Sequence, residues 1–296
     1  MKILLSGASG LVGTALTEYF EGNGHQVLSL KRTDDPAITP RWNPSRGVIE
    51  LGSGPPFEVV INLAGDSIAK GRWTPTKKDR IRSSRVMGTR LLAECLAGLA
   101  EKPRLMISTS AVGFYGSRAD EILTEASSTG SGFLAGVCRE WEQATGPAAE
   151  AGIRVVLARF GMVLSAQGGS LTTMVTPFRM GLGGIIGNGR QFMSWITIDD
   201  LVAIMGFLVD HPELSGPVNV VAPTPVTNRE FTRTLGRILC RPTLLPLPGL
   251  VARLVFGEMA DELLLASCRV IPARLQKAGY EFIHPNLTPA LTDLLP

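Results

Sequence analysis

The sequence predicts an α/β fold, a doubly wound parallel sheet with helices on both faces, followed by a small C-terminal helical lobe. Two observations carry this expectation. The apolar run Ile3-Leu4-Leu5 turns on the glycines of Gly7-Ala8-Ser9-Gly10-Leu11-Val12-Gly13 into the helical spacing Leu11, Ala15, Leu16, Tyr19 and Phe20. Strand and helix patterns then alternate through Ala158, after which glycine- and proline-broken segments take over.

Composition sets the outer bounds. With 296 residues, 45% hydrophobic and 19% charged, the chain can bury a full core and a small second lobe. The net charge of +3 arises from 29 basic and 26 acidic residues without blocks, so no nucleic-acid or membrane partner is expected. Cys95, Cys138, Cys240 and Cys268 stand far apart, as do His25, His211 and His284, so no metal site is expected. One lysine and three apolar residues before the glycines are too few for a signal-peptide core, and no run is long enough to span a bilayer. The expectation is a cytoplasmic protein with reduced thiols.

The first strand, Lys2–Ser6, follows from its apolar run, and the first helix, Leu11–Gly22, from its spacing. Asn23-Gly24-His25 then turns the chain, with His25 as a surface turn residue, into a second strand at Gln26–Leu30. A strand that turns on glycines into a helix brings free backbone N–H groups and the positive end of a helix dipole to one point, which suits a pyrophosphate. Gly7 allows the tight turn, Gly10 removes a Cβ that would meet the phosphates, and Gly13 lets the helix lie close on the strand. A dinucleotide held by Gly7, Ser9, Gly10, Leu11, Val12 and Gly13 is therefore the expected ligand of this Rossmann-type start.

The residues after strand two choose the dinucleotide. An NAD site of this kind places Asp or Glu there for the ribose hydroxyls. Lys31-Arg32 stand there instead, while Asp34 and Asp35 come later, before Pro36, and read as loop. Two cations favour the 2′-phosphate of NADP(H), with arginine able to bind it bidentately. The alternative is a solvated strand end.

Residues 33–57, with Pro36, Pro40, Pro44, Pro55 and Pro56, read as an irregular connection around one small hairpin at Val48–Leu51. Val59–Asn62 is the next strand, and the small residues of Leu63-Ala64-Gly65 let the chain pass close to a cofactor. A polar loop leads to a helix over Asp79–Leu99, then to a strand at Leu105–Ser108 ending in Thr109-Ser110. The helix Phe133–Thr145 presents Leu134, Val137, Cys138 and Trp141 on one side, and Ile153–Ala158 is the fifth strand. Gly168-Gly169 and the five glycines of Gly181–Gly189 read as loops over a substrate cleft or as turns, not as phosphate cradles. Asp199 or Asp200 is expected to cap a helix over Leu201–Val209, and Val218–Val221 to supply a sixth strand. The tail is a series of short proline-broken helices with a boundary near Pro246 to Gly249, dividing the chain into a nucleotide-binding domain, 1–222, and a small C-terminal domain, 247–296.

Gly7-x-x-Gly10-x-x-Gly13, Asn62-Leu63-Ala64-Gly65, Ser108-Thr109-Ser110-Ala111-Val112-Gly113-Phe114-Tyr115-Gly116 and Trp195-Ile196-Thr197-Ile198-Asp199-Asp200 together resemble the extended short-chain dehydrogenase/reductases, the group of sugar-nucleotide epimerases and dehydratases. Ser84-Arg85-Val86-x-Gly88-Thr89, Phe133-Leu134-Ala135-x-Val137-Cys138, Gly189-x-Gln191-x-x-Ser194-Trp195-Ile196 and the tail from about Leu247 resemble its atypical "epimerase family protein" branch, over nearly the whole chain. The resemblance implies cofactor contacts from Leu63, Ala64, Gly65 and Ser108. It also places Arg85 where extended members carry Asn, near phosphate or ribose, against the alternative of a surface helix arginine.

The chain departs from that family at its acid–base pair. Typical members use Tyr-x-x-x-Lys, the lysine lowering the tyrosine pKa for proton exchange with the substrate oxygen. Here Tyr19, Tyr115 and Tyr280 are followed four residues later by Asn23, Ala119 and His284, and no lysine occurs between Lys102 and Lys277. Aligned on Glu142, Leu134 and Cys138 occupy the Tyr and Lys positions. Three candidates remain, each with a structural alternative. Ser110 stands at the family's serine position or merely satisfies the strand end; Tyr115 reaches the cleft or braces a turn; Cys138 is a reactive thiol or a core residue. The reading is an NADP(H)-binding protein acting by hydride transfer on a small carbonyl or hydroxyl substrate. The rivals are a non-catalytic NADP(H) sensor and, disfavoured by the missing pair, a sugar-nucleotide epimerase. A homodimer is left open.

Overall fold

Alternate residues of the first strand face opposite cores. The computed structural model describes residues 1–54 and 56–295, and in it Ile3 and Leu5 pack on one side of the sheet and Leu4 on the other, all fully buried. Such two-sided burial, about 1.5–3 kcal/mol for each large side chain, is why the run is continuously apolar rather than alternating.

Strand β1 (Lys2–Ser6), helix α1 (Leu11–Gly22) and strand β2 (Gln26–Arg32) form the expected opening unit. β2 runs two residues past its apolar stretch because Lys31 and Arg32 pair in parallel with Arg41 and Trp42 of β3 (Arg41–Asn43). β3 and β4 (Val48–Glu50) form the expected hairpin; Pro55 of the proline-rich connection lies outside the described residues. β5 (Val59–Asn62) leads to α2 (Pro75–Ala97), which starts four residues before the apolar spacing does. Thr74 caps it, accepting from the Lys77 amide at 3.2 Å, and Pro75 fits the first helical position. Then come β6 (Leu105–Ala111), the short β7 (Ile122–Leu123), α3 (Phe133–Gln143), α4 (Gly146–Glu150) and β8 (Arg154–Phe160).

The second half departs from expectation twice. Gly168-Gly169 do sit between a strand and a helix, β9 (Met162–Leu164) and α5 (Gly169–Arg179). The helix was hidden by Gly-Gly at its start and by Pro177 inside it, which tertiary burial of Leu171, Val175 and Phe178 overrides. After β10 (Phe192–Met193) and β11 (Trp195–Thr197), α6 spans Ile198–Asp210 and its cap is Thr197, not an aspartate. Asp200 is instead wholly buried, and its carboxylate accepts from the Ile283 and His284 amides, both at 2.8 Å, and from the Tyr280 hydroxyl at 3.1 Å. Burial and this carboxylate together push the Tyr280 pKa up.

β12 (Gly216–Val220), β13 (Val226–Thr227), α7 (Asn228–Ile238), α8 (Gly249–Phe256), β14 (Arg269–Val270), α9 (Ala273–Lys277) and α10 (Leu287–Leu294) complete the chain. Leu287, Leu291 and Leu294 of α10 share a core with Leu171 of α5 and Phe231 of α7, and Leu275 of α9 enters the core under α1 and α6.

The main sheet has the order β12-β8-β6-β5-β1-β2-β3-β4, parallel except for β4. α1 and α6 cover one face and α2 and α4 the other, so the fold is the expected doubly wound one. Strand order reverses between β1 and β5, and in such sheets ligands bind beyond the carboxyl ends of the strands at that switch point.

Candidate functional site

At the switch point, the ends of β1 and β5 are stitched together by one hydroxyl. Ser6 Oγ donates to Asn62 Oδ1 at 2.6 Å and accepts from the Leu63 and Ala64 amides at 3.1 and 3.3 Å. Asn62 passes the chain on to Thr89, which also accepts from the Trp141 indole. These bonds fix Leu63, Ala64 and Gly65 beside the glycine turn.

Gly7 has φ +74°, and a Cβ there would stand 3.1 Å from the Leu63 carbonyl carbon. A Cβ on Gly13 would stand 2.7 Å from Ala8 Cα, so the helix can close on the loop only without one. Gly10 differs. Its φ of −83° is open to any residue, and a Cβ would meet only the Gly7 carbonyl oxygen at 3.4 Å. The protein itself gains nothing from that glycine; the cleared space lies outside the loop, in front of α1. Gly10 offers no side-chain cap, and among the described residues no side chain accepts from the Leu11 and Val12 amides in the first turn of α1. The cradle fits a pyrophosphate.

Beside it, a groove between α1 and β2 is lined by Ala8, Ser9, Thr14, Thr17, Glu18, Val27 and Ser29. Lys31 and Arg32 stand exposed at the end of β2, with no side-chain ion pair or hydrogen bond among the described residues. Asp34 is held by Asn43 at 2.8 Å and Arg46 at 3.5 Å, while Asp35 accepts from the Ala37 amide at 3.0 Å. Both acids are loop residues.

Arg85 is neither an exposed helix arginine nor free. Its Nη1 donates to the Asp66 and Ile81 carbonyls at 3.0 and 3.1 Å, and the guanidinium lies 5.1 Å from the Trp141 ring. A Cβ on Gly65 would meet Arg85 Cζ at 3.1 Å, so this glycine makes room for the arginine. Burial lowers the Arg85 pKa from its ordinary value. Next to it, Lys77 pairs with Asp66 at 2.7 Å and, with Arg80, holds that carboxyl below its usual range.

The three candidate proton donors converge on one buried network. Ser110 Oγ donates to Glu142 Oε1 at 2.6 Å. Glu142 forms a bidentate pair with Arg159, both bonds at 2.8 Å, and Arg159 Nη1 donates to the Tyr115 hydroxyl at 2.8 Å. Tyr115 donates in turn to Asn219 Oδ1 at 2.7 Å and is 0% exposed. The Arg159 guanidinium also lies 3.6 Å from the Phe114 ring centroid. Burial pushes the Tyr115 hydroxyl up to about 12. Burial and the nearby Glu142 push the Cys138 thiol to about 12 as well, so the thiolate nucleophile is suppressed. Ser108 lies deeper in β6, fully buried, its hydroxyl without a partner among the described residues.

The sequence profile of the NAD-dependent epimerase/dehydratase family matches residues 3–221. The chain belongs to that family. A second profile, a domain of unknown function (DUF1731), matches residues 247–294. An epimerase family protein of Mycobacterium bovis is 44% identical over 292 residues, 98% of this chain and 96% of that protein. The crystal structure of human epimerase family protein SDR39U1 with NADPH has a TM-score of 0.90 at 33% identity, covering 99% of both chains. A UDP-glucose 4-epimerase of Thermotoga maritima has a TM-score of 0.75 at 15% identity, covering 99% and 97%, which is a likeness of fold.

In this family member, sequence reasoning took Glu142 only as an alignment mark and gave no role to Arg159, Asn219 or Glu262. The one signal for Arg159 was a charge after the apolar run Val155-Val156-Leu157-Ala158 of the strand Arg154–Phe160. Glu262 gave none. It lies 128 residues from Leu134, yet its carboxylate accepts from the Phe133 and Leu134 amides at 3.0 and 3.1 Å and so caps α3 from the C-terminal segment. Among the described residues, no cluster of three or more His, Cys, Asp or Glu could hold a metal ion, and no helix is long and apolar enough to cross a membrane.

Proposed function

We propose that this chain binds NADP(H) at the β1–α1 loop and responds to its binding without reducing unactivated carbonyls. The observation that carries this reading is the network itself. Ser110 and Tyr115 are hydrogen-bonded inside the protein and Cys138 is buried with its thiol pushed to about 12, so none is a free acid at neutral pH. The glycine cradle, the unpaired Lys31 and Arg32, and the NADPH named with the human relative support the cofactor. When bound, NADPH supplies a hydride. This chain supplies first-turn amides for the pyrophosphate, Lys31 and Arg32 for the 2′-phosphate, and Leu63–Gly65 as the floor.

A second reading, an NADP(H)-dependent oxidoreductase, rests on the 2.6 Å bond between Ser110 and Glu142. With its proton committed to the carboxylate, the serine oxygen keeps lone pairs for a substrate hydroxyl. In oxidation Ser110 would take the proton of that hydroxyl while passing its own to Glu142, the hydride of the substrate carbon leaving to NADP+; in reduction by NADPH the proton would return from Glu142 through Ser110 to the substrate oxygen.

Fluorescence titration with NADPH and NADH tests the cofactor. NADPH should bind more tightly, and replacing Lys31 and Arg32 by alanine should remove the preference, at about 1.5–3 kcal/mol per lost charged contact. Equal affinities in the unmodified protein overturn the assignment to NADP(H). A broad carbonyl panel separates the two functions. Binding without turnover supports the first reading; turnover abolished by Ser110→Ala replaces it with the second.

A further inference from the structure

A second cavity lies apart from both the nucleotide cradle and the buried network. It is a groove of about 420 Å³, within the size of small-molecule sites, between the loop 185–191 and the start of α8. The glycine-rich loop forms one wall through Gly187 and Asn188. Gly187 has φ +60°, and a Cβ there would stand 2.9 Å from Leu265 Cδ2, another lining side chain.

Two independent features of this groove are left unclaimed by the protein. The first is the N-terminus of α8. Pro248 offers it no side-chain cap, and among the described residues the amides of Gly249, Leu250 and Val251 donate to no acceptor. A Cβ on Gly249 would lie 3.8 Å from Arg253 Nη1, so the guanidinium curls back over the same turn. The second is Gln191, only 6% exposed. Its Nε2 donates to the Ile186 and Leu264 carbonyls at 2.9 and 3.0 Å, and two carbonyl partners fix which end of the amide is the nitrogen. Its Oε1 has no partner among the described residues and is left for the groove that Gln191 lines.

We infer that this groove binds a small hydroxy acid, with its carboxylate on the first turn of α8 and Arg253 and its hydroxyl on Gln191 Oε1. Free amides, the positive end of a helix and a guanidinium suit an oxyanion, and the bare amide oxygen suits a donor beside it. Charge selects a carboxylate over a phosphate. Among the described residues that line the groove, Arg253 carries the one charge, and its Nε already holds Asp261 Oδ1 at 2.8 Å. The helix end adds only about +0.5. A single negative charge comes nearest to balancing this set, and a dianion overshoots it. Leu250 and Leu265 supply apolar wall for the carbon chain. No lining residue is shared with Gly7–Gly13, Lys31, Arg32 or Leu63–Gly65, so the inference stands independently of the NADP(H) assignment.

Amide NMR spectra of the full chain, recorded without NADPH, test the inference with lactate as the probe. Lactate should move the Gly249, Leu250 and Val251 amide signals saturably, with a dissociation constant of about 1–10 mM for so few atoms. Propionate, which lacks only the hydroxyl, should bind about threefold to tenfold more weakly, and inorganic phosphate should bind more weakly than lactate. Arg253→Gln should weaken lactate about tenfold or more. Asp261→Asn, which leaves Arg253 unpaired, should tighten it about threefold. Neither variant should shift the melting temperature, because the pair is 54% and 51% exposed. Unmoved amides at about 100 mM lactate, propionate as tight as lactate, phosphate tighter than lactate, or an affinity indifferent to Arg253→Gln and Asp261→Asn overturns the assignment.

Discussion

Arg159 and Glu142 meet face to face inside the protein, Nε to Oε1 and Nη2 to Oε2 both at 2.8 Å, with the side chains 4% and 9% exposed. The pair joins β8 to α3 and gathers Ser110 and Tyr115 on either side. Removing one charge leaves the other buried and unpaired. Glu142→Ala should therefore cost about 3–5 kcal/mol by urea denaturation, while Glu142→Leu combined with Arg159→Met should recover much of the loss. A loss below about 1 kcal/mol for Glu142→Ala would show that the pair is hydrated and weak.

Tyr115→Phe removes a hydroxyl that serves both Arg159 and Asn219. The expected cost is about 1–3 kcal/mol, because two buried polar groups lose a partner, with no change in NADPH affinity. A changed affinity with unchanged stability would move Tyr115 from the network to the cofactor.

Alkaline pH should weaken the fold in a defined window. Cys138 and Tyr115 start from 9.0 and 10.0 and are each raised to about 12 by burial. A raised folded-state pKa means that the unfolded chain loses the proton first, so the contribution is complete below pH 9 and is lost as pH rises towards 12. Melting temperatures between pH 7 and pH 11 read this as a fall that starts near pH 9, and Cys138→Ala should make it shallower, the buried Cys268 thiol, also raised to about 12, and the Tyr280 hydroxyl keeping the remainder. An identical slope in that variant contradicts the assignment. A thiol reagent at pH 8 should label the exposed Cys240 rapidly and Cys138 only on unfolding.

Glu262→Ala should expose the Phe133 and Leu134 amides at the start of α3. The expected cost is about 0.5–2 kcal/mol, with faster hydrogen exchange confined to that helical turn. Exchange at α3 that stays as slow as in the unmodified protein would mean that another group caps the helix.

Arg85→Ala should lower the melting temperature of the unliganded protein, because the Asp66 and Ile81 carbonyls lose a donor and Trp141 loses its cation contact. NADPH titration of the same variant tells whether the arginine also reaches the cofactor. A reduced affinity assigns it to the site, and an unchanged one makes it a support for Gly65.

What the sequence determined by itself was set by neighbours along the chain. The strand-turn-helix at Gly7 to Gly13 was legible because the glycine spacing, the apolar run before it and the 3.6-residue pattern after it are all local. The missing Tyr-x-x-x-Lys pair was legible for the same reason, since an absent spacing needs no structure to be seen. Only the tertiary structure decided what each remaining polar side chain does, because its partners lie far away in sequence. Asp200 reads as a helix cap until Tyr280, Ile283 and His284 close over it, and Thr197 takes the cap because the aspartate is already engaged. Tyr115 reads either as a cleft residue or as a brace in a turn until β8 brings Arg159 and β12 brings Asn219, 104 residues away. A buried hydroxyl or carboxylate must find a partner wherever the fold supplies one, and local pattern carries no record of where that partner will be.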